Sequence, residues 1–329
     1  MSDPNSNENT EAVESFDVVV VGGGPAGLSA GTALARSLRS VAVLDDDRPR
    51  NGPATGAHNV LGHEGIAPRD LLAAGRAEFT GYGGVVRADT AHTVTSADDG
   101  FRLGLASGGE LHARRLILAT GLIDELPDIP GVADLWGTDV LHCPYCHGWE
   151  VRGQRIAVLA TGPMAGHQAK LFRQLSDTVM VVGGDHQSLD ETEAAELAAL
   201  GIEVIGPAAR EVRVRTDPDG RARLAGIALD DGRVLDADAV VVGPRFIART
   251  DLYEQLGGVP TPHPMGVFIE TDQMGATAVP GVWAAGNSAD LSAIVAVSMG
   301  AGVMTGAAVN LDLITEDTQR ALAATAALS

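Results

Sequence analysis

A glycine-rich segment near the start of the chain limits the fold more than any other feature of the sequence. The largely apolar run 16–21 predicts a buried parallel strand, and the turn 22–27 that follows it contains the pattern G-x-G-x-x-G. A helix is predicted over 28–38 and a second strand over 40–44, which ends directly before Asp45. A strand, a glycine turn, a helix, a strand and an acid in this order are typical of a dinucleotide-binding βαβ unit.

Each residue type in this unit has a physical task in binding a dinucleotide. Glycines let the main chain approach a pyrophosphate group, which then lies at the N-terminus of the helix. The acid after the second strand accepts a hydrogen bond from a ribose hydroxyl. The cofactor-binding residues predicted from this unit are Gly22, Gly24, Pro25, Ala26, Gly27 and Asp45.

The same pattern begins again in the middle of the chain. A strand is predicted over 155–160, a turn over 161–166, a helix over 168–174 and a second strand over 178–182. The proline-rich stretch 126–131 and the pair Gly243-Pro244 are typical of linkers on either side of this second βαβ unit. We therefore expect an α/β protein with two Rossmann-like dinucleotide-binding domains, the second inserted in the first. The predicted boundaries are a disordered tail 1–15, a first domain 16–126 plus 245–312, an inserted domain 127–244 and a tail 313–329.

Two cysteines, the only ones in the sequence, form a Cys-x-x-Cys pair between two histidines, His142-Cys143-Pro144-Tyr145-Cys146-His147. Such a pair switches between dithiol and disulfide, and only the thiolate attacks. Cys143 and Cys146 are expected to straddle the first turn of a helix, where N–H groups favour the thiolate. Either histidine can act as the base, since imidazole titrates near pH ~6.5, or it can simply cap a helix. The alternative of a zinc site is disfavoured, because four ligands within six consecutive residues do not easily converge on a tetrahedral ion.

Composition and charge limit the classes of partner that the protein is expected to bind. The net charge of −20 argues against nucleic acid and anionic membranes, which repel an acidic surface. The apolar run 291–309 is rich in small residues and lacks flanking basic residues, so we expect a helix of the protein core and not a membrane span. The polar N-terminus has no apolar segment of the signal-peptide type, and two closely spaced cysteines suit a reducing cytoplasm.

Taken together, these features resemble the low-molecular-weight thioredoxin reductases, which are flavoprotein disulfide reductases with two dinucleotide domains. The resemblance is carried by the first glycine turn with Asp45, the strand end Ala119-Thr120-Gly121, the segment 281–287 before the last helix and the place of the cysteine pair. It covers residues 16–310 and implies three-layer (ββα) domains of the FAD/NAD(P) type, FAD in the first domain, and a homodimer. It also implies that Cys146 faces the flavin and Cys143 faces outward. Further cofactor-binding residues implied in this way are Arg50, Asn59, Val86, Thr120, Gly121, Gly286, Asn287 and Ala293.

The residues beside the cysteines are similar to a narrower group, the FAD-dependent dithiol oxidases that form disulfides in natural products such as gliotoxin and holomycin. Cys-x-x-Cys-His-Gly carries this likeness, since ordinary thioredoxin reductases have an acid in the place of His147. The likeness implies a small-molecule dithiol substrate, O₂ as electron acceptor and H₂O₂ as product. Asp290 is a further catalytic candidate that would orient a histidine, although it equally fits an N-cap of the last helix.

The second glycine turn departs from a nicotinamide-binding sequence. Ala160 stands where its first glycine is expected, and Pro163 removes a main-chain N–H that would face a phosphate. Asp185 lies where thioredoxin reductases have arginines that hold the 2′-phosphate of NADPH. We therefore expect no reduction by NADPH and leave NADH open. Two other functions remain: a thioredoxin reductase-like enzyme supplied by NADH, NADPH or ferredoxin, and a flavin-binding redox sensor that does not turn over.

Overall fold

The computed structural model of the protein describes residues 13–184 and 189–328. The helices of these residues are α1 Pro25–Arg36, α2 Pro68–Gly81, α3 Pro144–His147, α4 Ala165–Phe172, α5 Glu191–Ala199, α6 Asp251–Gln255 and α7 Val295–Leu328. The strands are β1 Glu14–Val21, β2 Val41–Leu44, β3 Val85–Arg87, β4 Ala91–Ala97, β5 Gly100–Leu105, β6 Glu110–Leu118, β7 Leu122–Glu125, β8 Val140–Leu141, β9 Ile156–Leu159, β10 Val179–Val182, β11 Glu203–Ile205, β12 Ala209–Thr216, β13 Ala222–Leu229, β14 Val234–Leu235, β15 Ala239–Val241, β16 Arg245–Ala248, β17 Thr261–His263, β18 Gly266–Phe268 and β19 Val282–Ala284.

The first sheet contains the N-terminal βαβ unit. Its order is β3-β2-β1-β6-β5-β4, with β19 on the other edge of β6. Strands β3, β2, β1, β6 and β19 are parallel, whereas β6, β5 and β4 form an antiparallel meander. The central strands are apolar on both faces, because helices cover one face of the sheet and the β4-β5-β6 meander covers the other. Polar and apolar residues therefore do not alternate along these strands.

The second sheet, of order β11-β10-β9-β15-β8, is entirely parallel and contains the second βαβ unit, β9-α4-β10. A separate antiparallel sheet, β12-β13-β14, packs against it through Val212, Ile227 and Leu229. The expected α/β architecture with two Rossmann-like units is therefore confirmed. The second unit lies in the segment between β7 and β16.

The chain leaves the first unit through β7 and returns to it through β16. These two strands pair with each other in antiparallel orientation, with Phe246 opposite Asp124. The sequence indicated only linkers here, at 126–131 and 243–244. Strands β17 and β18 extend this small sheet. It brings the start of the returning chain beside the cysteine pair.

The last helix corrects the sequence-based boundaries. Helix α7 continues to Leu328, so the prediction of a tail over 313–329 is wrong for residues 313–328. Leu313 is fully buried, and Asp317 pairs with Arg39 and Arg114 of the first sheet region. At the other end, β1 already includes residues 14 and 15 of the tail predicted for 1–15, and residues 1–12 lie outside the described chain.

Helix α7 is long and apolar enough, by length and composition, to cross a membrane. The core helices of water-soluble proteins meet the same requirement. One face of α7 is buried against α1. The expectation of a core helix therefore holds for this face and not for the whole helix. Its buried residues are Ser298, Gly302, Thr305, Gly306, Val309 and Leu313.

Candidate active site

The first glycine turn forms an open cradle between β1 and α1. Gly22 has φ 110°, a conformation that favours glycine, and a methyl group on Gly27 would lie 1.8 Å from the main-chain oxygen of Gly22. A methyl group on Gly24 would meet no atom within 4 Å. Gly24 is the N-cap of α1 and has no side chain to bond the first N–H groups, and Pro25 follows it. The turn thus leaves room and unpaired donors for a phosphate at the helix N-terminus.

Asp45 lies at the end of β2, beside this cradle. Its carboxylate is 2.5 Å from Nη2 of Arg76 and accepts a hydrogen bond from the main-chain N–H of Asp47. The side chain is only 11% exposed, so its position is fixed by these partners. A cleft of about 370 Å³ opens from it, lined by Asp45, Asp46, Asp47, Arg48, Ala88, Asp89 and Thr90.

The other predicted cofactor residues lie on segments that end near this cradle. Val86 is on β3. Thr120 and Gly121 follow β6, where the Thr120 hydroxyl donates to the carbonyl oxygen of Arg249 and Gly121 has φ 69°. Gly286 and Asn287 follow β19, and the amide of Asn287 donates to the carbonyl oxygens of Asp290 and Ala293.

The cysteine pair is in the disulfide form at the start of a short helix. Cys143 is the N-cap of α3 and Cys146 lies inside it, with their Cα atoms 5.3 Å apart. The main-chain oxygen of Cys143 accepts from the N–H groups of Cys146 and His147. The placement across the first helical turn agrees with the expectation, and the positive end of the helix dipole favours a thiolate formed on reduction.

His142 directly precedes the disulfide and is partly buried. Its Nδ1 lies 3.1 Å from both the carbonyl oxygen of Val242 and the side-chain amide nitrogen of Gln168. In the tautomer that donates Nδ1–H to Val242, the lone pair of Nε2 is available as a proton acceptor. Burial lowers the pKa of His142 below its ordinary value, and Arg50 acts in the same direction, while the bond to Val242 and the charge of Asp124 act against it. His142 is therefore neutral at pH 7.

Phe246 of β16 connects His142 to Arg50. The His142 ring meets the Phe246 ring edge to face, with ring centroids 5.1 Å apart. The guanidinium of Arg50 lies 5.1 Å from the centroid of the same Phe246 ring. Arg50 is fixed by a two-point contact with Asp124 of β7 and a hydrogen bond to Asn287. Neither Asp124 nor Phe246 was singled out in the sequence, because they lie on short strands beside the predicted linkers and show no motif of their own.

His147 lies at the end of α3, next to Cys146. Burial lowers its pKa from the ordinary value; the charge of Glu150 raises it and that of His58 lowers it. Within the described residues, no protein hydrogen bond is made by the His147 ring. His147 is therefore a second neutral imidazole with nitrogens available for a thiol proton.

A loop from the first βαβ region contacts the cysteine turn. Asn59, which has φ 60°, donates from its side-chain amide to the carbonyl oxygen of Tyr145 at 2.8 Å. His58 lies 2.7 Å from Glu64 and 3.5 Å from Glu150. The sequence predicted Asn59 as a cofactor-binding residue, whereas its side chain bonds the cysteine turn here. Glu64 and Glu150 gave no signal in the sequence.

Asp290 is not placed with either histidine. Its carboxylate accepts from the main-chain N–H of Ser292 at 2.9 Å and from the Ser292 hydroxyl at 2.7 Å. The interpretation as an N-cap of the last helix is wrong, because α7 begins only at Val295. Asp290 instead closes a turn before that helix and lines a cleft with His263, Met265 and Phe268.

The second glycine turn keeps open space at Gly162, where a methyl group would meet no atom within 4 Å, although Ala160 replaces its first glycine. A methyl group on Gly166, in the first turn of α4, would lie 2.1 Å from Oε1 of Glu193. A carboxylate of α5 therefore packs beside the N-terminal turn of α4. Asp185, which the sequence placed near this site, lies outside the described residues.

A family model described as pyridine nucleotide-disulphide oxidoreductase matches residues 16–309. The chain belongs to this family. Thioredoxin reductase tcpT of Claviceps purpurea is 33% identical over 83% of this chain and 86% of its own length, and thioredoxin reductase sirT of Leptosphaeria maculans is 30% identical over 92% and 95%. The crystal structure of HlmI is 40% identical and has a TM-score of 0.87, covering 95% of this chain and 96% of its own. The resemblance to thioredoxin reductases drawn from the sequence is confirmed.

A pyridine nucleotide-disulphide oxidoreductase of this kind is a flavoprotein, and its cofactor is FAD. The first glycine turn fits that group, because Gly24 faces open space and the α1 N-terminus offers donors without a protein partner in the described chain. Asp45 is placed to hold the ribose. We call the part of the chain around the first sheet the flavin domain.

Proposed function

We propose that the protein is an FAD-dependent dithiol oxidase that closes an intramolecular disulfide in a small-molecule dithiol, with O₂ as the electron acceptor. One observation carries this proposal: a disulfide between two neutral histidines lies beside a flavin domain, while the second dinucleotide turn has Ala160 in place of its first glycine and the carboxylate of Glu193 beside its helix. Electrons then enter from the thiols. The similarity of Cys-x-x-Cys-His-Gly to the oxidases of disulfide natural products favours a substrate of that class.

The proposed reaction begins when His142 or His147 takes a proton from one substrate thiol. The substrate thiolate attacks Cys143, and the bond between Cys143 and Cys146 breaks with Cys146 leaving as a thiolate stabilised by α3. The second substrate thiol, after losing its proton to the protein, attacks the substrate sulfur of the mixed disulfide. Cys143 leaves, and the product carries the new disulfide.

The protein then holds the two electrons as a dithiol. When bound, FAD supplies the two-electron acceptor that restores the protein disulfide, and O₂ is reduced to H₂O₂. The residues that would hold FAD are those of the first glycine turn, Asp45, and the segments after β6 and β19. For each disulfide formed, one O₂ is consumed and one H₂O₂ is released.

Two exposed aromatic side chains flank the disulfide and suit a small organic substrate. Tyr145 is 69% exposed and Trp149 is 65% exposed. The guanidinium of Arg152 lies 4.1 Å from the centroid of the Trp149 ring and also donates to the Trp149 carbonyl oxygen, so the ring is fixed. We propose that this surface contacts the substrate, that the protein acts as a homodimer, and that it works in the cytoplasm.

The second candidate is a thioredoxin reductase-like reductase, favoured by the names of the relatives and by the intact β9-α4-β10 framework. An anaerobic titration of the flavin spectrum with NADPH, NADH and a small dithiol separates the two. Loss of the oxidised-flavin absorbance with the dithiol, but with neither nucleotide, supports the oxidase. A flavin reduced by NADPH or NADH supports the reductase. An aerobic assay then measures O₂ consumed and H₂O₂ formed per disulfide.

A further inference from the structure

A loop of the flavin domain carries a histidine and a carboxylate to the cysteine pair. This loop, residues 57–66, is closed by a bridge between Ala57 and Ile66. Nδ1 of His58 lies 2.7 Å from Oε1 of Glu64, and Oε2 of Glu64 accepts from the main-chain N–H of Asn59 at 2.9 Å. The bond from His58 is the main cause that lowers the pKa of Glu64. One carboxylate therefore fixes both the ring of His58 and the main chain beside it.

The other nitrogen of His58 faces the cysteine helix. Its Nε2 is 3.5 Å from Oε1 of Glu150, three residues after His147. Glu150 and His58 act on the His147 charge in opposite directions, although burial is the larger influence on its pKa. The carboxylate of Glu150 thus lies near the His58 ring, and its charge favours a proton on His147, three residues earlier in the chain.

A second contact fixes the position of the loop relative to the disulfide. Asn59 donates to the carbonyl oxygen of Tyr145, which lies between the two cysteines. His58 and Asn59 are adjacent, so this bond sets how far the His58 ring lies from Glu150. The charged and titratable groups facing His58 are Glu64 from its own loop, Glu150 from the turn after α3, and His147 from α3.

We propose that His58 is a positioning residue of the dithiol centre, which acts through Glu150 on His147. The inference rests on the proposed function, because His147 matters as a group that takes protons from substrate thiols. The His58 ring, held by Glu64, provides a partner for the Glu150 carboxylate, and its charge acts on His147 against that of Glu150. Both effects disfavour a proton on His147, which stays neutral and able to accept one.

The test is a ¹³C NMR titration of the histidine side chains in the oxidised holoenzyme, with the His147 signal assigned from His147→Gln. His58→Gln and Glu64→Gln should raise the pKa of His147 by about half a pH unit. Glu150→Gln should lower it by a similar amount. His63→Gln, in the same loop but exposed, is the matched control and should leave it unchanged. A purely structural role would not give shifts of opposite sign.

The inference is overturned if His147 titrates as in the wild type in both His58→Gln and Glu64→Gln, or if these variants shift it in the same direction as Glu150→Gln. Glu64→Gln gives the same test if His58→Gln does not fold. The acid limb of kcat/KM for dithiol oxidation should move with the His147 titration. The NMR measurement needs no turnover, so an enzyme that shows the expected shifts but oxidises no dithiol contradicts the proposed function and supports the electrostatic coupling.

Discussion

The side-chain amide of Asn59 donates a 2.8 Å hydrogen bond to the carbonyl oxygen of Tyr145, one of the two residues between the cysteines. This bond ties the flavin-domain loop to the reactive disulfide. Asn59 is one of few non-glycine residues with a left-handed main chain among those described, at φ 60°. Asparagine tolerates this conformation better than other residues with side chains, so one residue supplies both the turn and the donor.

Two substitutions of Asn59 test its left-handed turn and its hydrogen-bond donor separately. A net hydrogen bond is worth about 0.5–1.5 kcal/mol, so Asn59→Ala should slow flavin reduction by a dithiol about two- to tenfold. Asn59→Gly is the matched control, because glycine keeps the left-handed turn without the donor. Both variants should lose rate in anaerobic stopped-flow experiments, and Asn59→Ala should lose about 1 kcal/mol more unfolding free energy than Asn59→Gly, because only alanine strains the left-handed turn. Wild-type rates in both would contradict a role for the bond in the reaction.

Each cysteine is expected to be essential for turnover and dispensable for the cofactor. Cys143→Ser and Cys146→Ser should each reduce dithiol oxidation by at least about a thousandfold, because a two-electron exchange needs both sulfurs. Both proteins should keep one FAD per chain, since the first glycine turn contains neither residue. Activity is followed by O₂ uptake and FAD by its absorbance. Near-normal turnover of Cys146→Ser would mean that substrate thiols reach the flavin without the disulfide.

The sequence predicted the two βαβ units well, because each is encoded in one continuous stretch of apolar strand, glycine turn and helix. It did not predict β12 and β13, which alternate between charged and apolar residues and depend on pairing with each other. It also missed β7 and β16. These short strands are paired across the whole inserted segment, and flanking prolines gave the appearance of linkers.

The same distinction holds for the site. His142, Cys143, Cys146 and His147 are contiguous, so their chemistry was evident from the sequence. The contact of His58 with Glu150, by contrast, joins segments that are far apart in the chain, and its contact with Glu64 depends on the shape of the loop. No local pattern specifies them, because packing decides which carboxylates meet which imidazole. The alternative of Asp290 as an N-cap failed for a related reason: small residues before Val295 did not show where the helix begins.

The end of α7 is expected to stabilise the flavin domain. Ending the chain after residue 312 removes the buried Leu313 and the acids that pair with Arg39, Arg114 and Arg115. Loss of one fully buried leucine alone costs about 2–5 kcal/mol, and Arg114 would remain partly buried without Asp317. The truncated protein should unfold at a markedly lower temperature, measured by flavin fluorescence. Ending the chain after residue 321 removes only exposed residues among those that the structure describes, 322–328, and should leave the melting temperature nearly unchanged.

The pH dependence of oxidation should show an acid limb below the ordinary histidine range. Burial lowers the pKa of both His142 and His147, so both bases stay neutral at pH 7 and are protonated only at lower pH. The value of kcat/KM should therefore fall as pH decreases below about 6.5, by up to about tenfold per pH unit. His142→Gln and His147→Gln, measured separately, show which ring provides the limb. An acid limb centred above pH 7 would contradict neutral histidines.

NADPH should not reduce the flavin at a useful rate. Ala160 stands in the place of the first glycine of the second turn, and the carboxylate of Glu193 packs beside the N-terminal turn of α4, near the helix end that would receive a phosphate. The sequence has Asp185 where thioredoxin reductases have arginines for the 2′-phosphate. Each charge-assisted contact to a phosphate is worth about 1.5–3 kcal/mol, so the loss of two arginine contacts weakens binding by about a hundredfold or more. Anaerobic stopped-flow mixing with NADPH, NADH and a small dithiol measures the three rates, with Glu193→Gln as the matched variant. Removing the Glu193 charge should increase nucleotide binding without abolishing dithiol oxidation. Rapid bleaching of the wild-type flavin by micromolar NADPH would overturn the oxidase proposal in favour of a thioredoxin reductase.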